Sequence, residues 1–204
     1  MEYLYGNKLQ VKPNKIISVV DLFCGCGGFS LGAKEAAHSV GLDTKTLVAV
    51  DMDLEAIEVY RENFTTIDWL DSNVDSLVDF HVYGRKEQSE LAYEPELLVP
   101  KLSRLVGKVD LLLAGPPCQG HSNLNNYTRY NDPRNHLYIA AVALGIALHT
   151  KAIIIENVSS VTRDSTGVIT TARNILSKSG YIVSEGVLDA SHLGGGQTRR
   201  RHIL

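Results

Sequence analysis

The residue best suited to chemistry is Cys118, which lies in the segment Gly115-Pro116-Pro117-Cys118-Gln119-Gly120. An apolar run, VDLLLA at 109–114, comes directly before it, and such a run bounded by glycine and proline indicates a buried parallel strand. The two prolines end that strand, because neither can donate to a ladder. Cys118 is therefore expected at the carboxyl end of a strand, where open α/β sheets bind ligands, as a candidate nucleophile. The alternative is a buried packing residue, since free cysteine is often buried. The two rigid prolines before Cys118 and the polar residues after it favour the interpretation as a nucleophile.

Carboxylates follow two other apolar runs. Residues 46–50 lead into Asp51-Met52-Asp53, and residues 152–155 lead into Glu156. Asp51 is then placed to accept hydrogen bonds from a ribose, and Asp53 to cap the next helix. A solvated strand end would explain either carboxylate in isolation. Three apolar strands that bring Asp51, Cys118 and Glu156 to one sheet edge make coincidence the poorer account.

A glycine-rich segment follows the first strand, which is predicted over 15–21 (KIISVVD). The segment reads Phe23-Cys24-Gly25-Cys26-Gly27-Gly28-Phe29, and a helical pattern begins at Ser30. A strand, a glycine loop and a helix in this order are typical of the nucleotide-binding start of a doubly wound fold. The spacing is not the dinucleotide fingerprint, and a tight strand–helix turn is the structural alternative. Cys24 and Cys26 lack the second pair of ligands that a zinc site needs, so no metal is expected.

The rest of the chain alternates helices and strands, which predicts one α/β domain with a doubly wound, mostly parallel, Rossmann-like sheet. Arg199 and Arg201 alternate near the carboxyl end, so in an extended strand they share one face. The pattern predicts helices over 54–63, 132–148 and 170–179, a third strand near Ile67 or Val74, a surface helix and loop over 79–108, a polar loop over 123–135, and a strand over 181–188.

Composition narrows the class of protein. The 204 residues are 44% hydrophobic and 21% charged, as in an ordinary globular domain. A net charge of −3 argues against a general nucleic-acid coat, so nucleic-acid contact would need a local patch such as Arg199-Arg200-Arg201. Three cysteines, an odd number, favour a reducing compartment, here the cytoplasm. No apolar run is long enough to span a membrane, and residues 1–15 lack the apolar centre of a signal peptide.

Four ordered motifs give the chain a resemblance to the cytosine carbon-5 DNA methyltransferases, which use S-adenosylmethionine. The motifs are the glycine segment with its preceding Asp21-Leu22, the Pro-Pro-Cys-Gln segment at 116–119, Glu156-Asn157-Val158, and Gln197-x-Arg199-x-Arg201. They cover nearly the whole chain. The resemblance implies the methyltransferase version of the Rossmann-like fold, with double-stranded DNA as substrate and the target cytosine flipped out of the duplex.

The resemblance also implies roles for individual residues. Cys118 would attack carbon 6 of cytosine, Glu156 would hydrogen-bond the ring nitrogen and the exocyclic amine, Arg201 would bind the base carbonyl, and Arg199 would hold the backbone near the nucleophile. Gln119, Ser122 and Arg199 would contact the nucleic acid. The cofactor would be held by Phe23, Cys24, Gly25, Cys26, Gly27, Gly28, Asp51, Met52, Asn73, Val74, Gly115, Pro117 and Leu137; Asp68 and Asp71 compete with Asn73 for its role.

The family pattern continues beyond the Gln-x-Arg-x-Arg motif into a target-recognition domain, and this sequence stops at Leu204. Residues 1–204 are thus expected to form the catalytic domain, truncated or split after that motif, with a second chain as one source of the recognition domain. Because base contacts specify sequence, little sequence preference is expected of this part. Two other hypotheses stay open: the same chemistry on cytosine in transfer RNA, and an inactive cofactor-binding subunit of a split methyltransferase.

Overall fold

A seven-stranded sheet forms the centre of the molecule. The computed structural model describes residues 15–84, 86–117, 133–163 and 166–204. The strands are β1 (Ile16–Leu22), β2 (Asp43–Asp51), β3 (Thr66–Asp71), β4 (Leu111–Ala114), β5 (Ala152–Val158), β6 (Gly186–Asp189) and β7 (Arg200–Ile203). Their order across the sheet is β6-β7-β5-β4-β1-β2-β3. Only β7 runs antiparallel to its neighbours, so the predicted doubly wound, mostly parallel fold is confirmed.

Helices connect the parallel strands, as a parallel sheet requires. They are α1 (Gly28–Ser39), α2 (Leu54–Asn63), α3 (Pro100–Ser103), α4 (Pro133–Ala147) and α5 (Val168–Lys178), with 3₁₀ turns at Val74–Leu77, Lys86–Gln88, Ser159–Arg163 and Ala190–Leu193. The central strands carry continuous apolar runs because both of their faces are covered. Val20, Leu22, Leu112 and Ala114 are accordingly fully buried. Within the described ranges, no helix is long and apolar enough to cross a membrane.

Two segments differ from the sequence predictions. The surface helix predicted over 79–108 is wrong: apart from the single turn of α3, this region forms two small antiparallel ladders, Val78–Asp79 with Glu96–Leu97 and Val82–Tyr83 with Glu90–Leu91. Leu102 of α3 is fully buried, so the region contributes to the core. The strand predicted over 181–188 forms only from Gly186, because none of the described strands pairs with the residues before it. The third strand lies at Ile67, and Val74 falls in a 3₁₀ turn.

Candidate active site

The loop between β1 and α1 follows an unusual backbone path. Phe23, Gly25 and Gly27 have φ angles of 55°, 50° and 91°, all in the left-handed region that favours glycine. A Cβ atom at Gly27 would also overlap the Phe64 ring, so both the angle and the space require glycine there. The Cys24 N–H donates to the Val50 carbonyl at 3.0 Å, which fixes the loop across the end of β2.

Asp51, at the end of β2, organises the backbone around it. Its Oδ2 accepts from the Gly25 N–H at 2.7 Å, and its Oδ1 accepts from the N–H groups of Met52 at 2.8 Å and Asp53 at 3.0 Å. Asp53 in turn accepts from two backbone N–H groups in the first turn of α2, which confirms it as the helix cap. A carboxylate has about four acceptor sites, so Asp51 retains capacity for a ribose hydroxyl, and that role stays a prediction.

A buried polar chain lies beneath the glycine loop. The Ser30 hydroxyl donates to Asp21 Oδ2 at 2.6 Å and lies 2.7 Å from the Tyr60 hydroxyl, which is 3.2 Å from Thr46 Oγ1. Asp21 is 1% exposed, and burial raises its pKa to about 7 against the opposing effect of the Ser30 hydrogen bond. The sequence analysis assigned Asp21 no role of its own. The presence of a carboxylate within a strand of β-branched apolar residues could have indicated one.

The two cysteines of the loop differ in exposure. Cys24 is buried, and burial together with the nearby Asp21 raises the pKa of its thiol well above the usual range. A thiol in that state is a poor nucleophile because the thiolate is the reactive form. Cys26 is exposed. Across the described ranges, no group of three or more His, Cys, Asp or Glu side chains is arranged to hold a metal.

The turn after β3 lies against Asp51. The Ser72 N–H donates to the Asp51 carbonyl at 3.1 Å, which places the neighbouring Asn73 near the same strand end. The Asn73 side-chain oxygen is buried with no hydrogen-bond partner among the described residues, whereas Val74 is buried in the core. Asp68 is engaged elsewhere, since its carboxylate accepts from the Lys101 ammonium at 2.6 Å.

The end of β4 is joined to both neighbouring strands. The Gly115 N–H donates to the Leu22 carbonyl at 3.3 Å, and the Asn157 side-chain amide donates to the Pro116 carbonyl, also at 3.3 Å. Asn157 is 4% exposed, so this bond lies in the interior between β4 and β5. The sequence analysis did not predict that Asn157 binds the proline turn. The position of Asn157 next to Glu156 in the sequence could have indicated it. Pro117, which follows, is exposed.

Three predicted site residues lie outside the described residues: Cys118, Gln119 and Ser122. The other functional side chains lie on α4, β5 and β7. Leu137 is half-buried in the first turns of α4. Met52 is 65% exposed, after the end of β2.

Glu156 and Arg201 form an ion pair at the end of β5. The Arg201 Nε lies 2.7 Å from Glu156 Oε1, and both side chains are between a quarter and a third exposed. Arg201 is paired with Val158 across the ladder, so it is a diagonal neighbour of Glu156 on the same face. Arg199 is exposed one residue before β7, where its carbonyl accepts from the Ala190 N–H at 3.0 Å. The structure thus joins Arg201, but not Arg199, to the carboxylate.

This edge of the sheet therefore combines three groups. They are the glycine loop with its left-handed backbone, the carboxylate of Asp51, and the Glu156–Arg201 ion pair beside the proline turn. The loop and Asp51 offer backbone and carboxylate groups to a nucleoside. The Glu156–Arg201 pair offers a hydrogen-bond donor and acceptors to a planar polar ring. These are the groups that a nucleotide-derived cofactor and a nucleobase would need.

Comparison with known proteins agrees with this chemistry. The family model for C-5 cytosine-specific DNA methylase matches residues 17–204. The type II methyltransferase M1.BsuMI of Bacillus subtilis is 36% identical over 202 residues, which cover 97% of this chain and 45% of that relative. DNA (cytosine-5)-methyltransferase 1 of Gallus gallus is 32% identical, over 92% of this chain and 12% of that protein.

A solved structure supports the fold. The Entamoeba histolytica methyltransferase EhMeth aligns with a TM-score of 0.63 at 23% identity, over 93% of this chain and 52% of that one. The chain spans less than half the length of the first curated relatives that it matches. The match of the family model extends from β1 through β7 and includes the whole candidate site. This chain belongs to the C-5 cytosine-specific DNA methylases.

Proposed function

We propose that this chain carries the catalytic site of an enzyme that transfers a methyl group from S-adenosylmethionine to carbon 5 of cytosine in DNA. The observation that carries the proposal is the Glu156–Arg201 ion pair at 2.7 Å, beside the proline turn that leads to Cys118. A carboxyl group and a guanidinium in this arrangement can bind the polar edge of a cytosine ring. The family membership and the names of the relatives support DNA as the substrate.

The cofactor is proposed to lie over the glycine loop. Asp51 would accept from the ribose hydroxyls, and the unpartnered Asn73 oxygen is suited to accept from an adenine amine. The residue types fit the group, because the loop exposes backbone and the nearby carboxylate is already fixed. The loop residues Phe23, Cys24, Gly25, Cys26, Gly27 and Gly28, together with Met52, Val74, Gly115, Pro117 and Leu137, complete the proposed site. The cofactor would supply the methyl group and leave as S-adenosylhomocysteine.

The proposed chemistry begins at Cys118. Its thiolate adds to carbon 6 of cytosine, which makes carbon 5 nucleophilic enough to take the methyl group. Glu156 hydrogen-bonds the ring nitrogen and the exocyclic amine, and Arg201 binds the ring carbonyl, so the pair stabilises the charge that addition creates. Loss of the carbon-5 proton and cleavage of the carbon–sulfur bond then release the product and restore the thiolate. Arg199 holds the backbone near Cys118.

The DNA contact of this part is proposed to be local. Gln119, Ser122 and Arg199 would position the flipped cytosine and its phosphate. Selection of the DNA sequence would come from a target-recognition region, which would lie in the part of the relatives that this chain does not match. That region would be supplied by the same polypeptide or by a second chain. Cysteine usage continues to favour the cytoplasm as the compartment.

A trapping experiment tests the proposal. The chain is incubated with tritiated S-adenosylmethionine and a duplex that contains 5-fluorocytosine, with and without a polypeptide that supplies the recognition region. The expected result is an SDS-stable, labelled protein–DNA adduct that Cys118→Ala abolishes and the surface control Lys45→Ala keeps. An adduct with a matching RNA probe but not with DNA would move the substrate to RNA. Cofactor binding without an adduct under any of these conditions would refute the catalytic role.

A further inference from the structure

A buried histidine lies behind the candidate active site, on the opposite face of the sheet. His202 of β7 is 2% exposed, and its Nε2 lies 3.0 Å from Oε2 of Glu185, the residue before β6. The other oxygen of that carboxylate, Oε1, accepts from the Arg173 guanidinium of α5 at 2.9 Å. None of these three residues belongs to the motifs of the candidate site. We call them the His202 cluster.

The surroundings of the imidazole define what it contributes to the cluster. A carboxylate only accepts hydrogen bonds, so Nε2 carries the hydrogen and donates it to Glu185. The other ring nitrogen, Nδ1, is buried and has no hydrogen-bond partner among the described residues. A buried N–H without an acceptor costs free energy, so the arrangement favours the tautomer with its hydrogen on Nε2 and a lone pair on Nδ1. The contribution of His202 is thus one N–H donor in one direction.

His202 and Arg201 lie on opposite faces of β7. His202 is buried, whereas its neighbours Arg201 and Ile203 are half-buried and Arg200 is exposed. Side chains alternate along a strand, so a slip of β7 by one residue would exchange the two faces. Arg201 would then leave the face of Glu156, and the imidazole would leave Glu185. The bond between His202 and Glu185 therefore opposes the slip that would break the Glu156–Arg201 pair.

His202 also lies opposite the residue that holds the proline turn. The ladder pairs His202 with Asn157 of β5, whose side-chain amide donates to the Pro116 carbonyl at 3.3 Å. Residues directly opposite in an antiparallel ladder share a face, with Cβ atoms about 4.5–5.5 Å apart. His202 is therefore the strand neighbour of Arg201 and the cross-strand neighbour of Asn157. A shift of His202 would reach both parts of the candidate site.

The cluster is connected to the core through α5. Arg173 follows the buried Ala172 in that helix, so the carboxylate of Glu185 joins α5 to β7. Arg173 is half-exposed and Glu185 is about a third exposed, and ion pairs of this kind stabilise a protein little. An apolar side chain that replaces the imidazole would also keep the packing. The cluster is thus expected to affect the direction of β7 more than the stability of the fold.

We propose that His202 is a positioning residue for the methyl transfer: its hydrogen bond to Glu185 holds β7 in the register that places Arg201 against Glu156. The 2.7 Å contact between Arg201 and Glu156 depends on that register. Fixing a register is the best-attested use of a buried polar group. The inference rests on the proposed function and adds to it a residue that acts through Arg201, from the other face of the sheet.

The test compares His202→Leu with His202→Gln in the full chain. Glutamine keeps an N–H that can donate to Glu185, whereas leucine keeps the apolar bulk and loses the donor. The first readout is hydrogen exchange of the Arg201 Nε–H by NMR, assigned by its loss in Arg201→Lys, with the exposed Arg200 as the reference signal. His202→Leu is expected to speed this exchange about tenfold or more, and His202→Gln to leave it near the wild-type rate.

The second readout is the rate of trapping on the 5-fluorocytosine duplex. At saturating DNA, His202→Leu is expected to slow trapping about tenfold or more and to leave the half-saturating DNA concentration unchanged. The reason is that the Glu156–Arg201 pair acts on the charge that addition creates, whereas phosphate contacts bind the duplex. His202→Gln should restore the rate.

Unchanged exchange at Arg201 in His202→Leu would overturn the proposal. Equal effects of His202→Leu and His202→Gln would also overturn it, because they would identify His202 as a packing residue. Glu185→Leu is the second variant if His202→Leu fails to fold. It should speed the exchange as much as His202→Leu does, and the double variant should add nothing, whereas additive effects would contradict a shared bond.

The exchange readout needs neither DNA nor methyl transfer. If the wild type forms no adduct, the proposed function fails, and exchange still decides whether His202 holds Arg201 in place. If exchange is unchanged while the wild type traps the duplex, only the positioning role fails.

Discussion

Asp21 makes the stability of the protein depend on pH in an unusual direction. The carboxyl group is 1% exposed, it accepts a hydrogen bond from Ser30, and its second oxygen is buried without a partner among the described residues. Burial raises its pKa from 3.8 to about 7. We expect Asp21→Asn, which keeps the shape and the acceptor for Ser30, to remove this dependence.

The sign follows from proton binding. Between pH 4 and pH 7 the folded state holds a proton on Asp21 that the unfolded state has lost, so the free energy of unfolding falls as pH rises through that interval. A shift of about three pKa units corresponds to about 4 kcal/mol, present in full below pH 4 and lost above pH 7. A normal carboxylate that is paired in the folded state gives the opposite slope.

Urea unfolding at pH 4.5, 6 and 8 measures the effect in the wild type and in Asp21→Asn. The difference in unfolding free energy, variant minus wild type, should grow by a few kcal/mol from the lowest to the highest pH. Ser30→Ala is the matched second variant: it removes a hydrogen bond that lowers the pKa of Asp21, so the wild-type dependence should extend to higher pH. Parallel pH profiles for wild type and Asp21→Asn would refute the reasoning.

Three further predictions concern the loop, a strand start and the candidate site. Gly27→Ala should lower the unfolding free energy by about 3 kcal/mol and weaken S-adenosylmethionine binding by calorimetry, whereas Gly32→Ala, in an open helical position, should not destabilise the protein. Asp110→Asn should cost about 1 kcal/mol or less by urea unfolding at pH 7, and the cost should shrink progressively as the pH is lowered below 4, because hydrogen bonds from Lys151 and Ser18 hold the pKa of this partly exposed carboxyl below its usual range. Arg201→Lys should reduce the trapped adduct about tenfold or more through loss of the guanidinium contact, and the control Arg200→Lys should leave it unchanged.

The sequence predicts those parts of the site that depend on local pattern. Short apolar runs are enough to place Asp51 at the end of β2 and Glu156 in the carboxyl-terminal half of β5, and the capping role of Asp53 follows from its place before a helical pattern. The Glu156–Arg201 ion pair is different, because it depends on the register between β5 and β7. The motifs suggest that both residues serve one site, but only the fold makes them neighbours.

Features that arise from tertiary contact were missed. The chain from Asp21 through Ser30 to Tyr60 joins β1, α1 and α2, and no periodicity links those three positions. The two ladders in 78–97 are two residues long on each side, too short to produce an alternating pattern, so the region was interpreted as a surface helix and loop.

The strand predicted over 181–188 differs from the structure for another reason. Tyr181, Ile182 and Val183 are residue types with high strand propensity, but β6 begins only at Gly186, where its ladder with β7 begins. Among the described residues, none pairs as a strand with the residues before Gly186. Propensity therefore predicts that a strand forms in this segment, whereas the pairing partner decides where the strand begins.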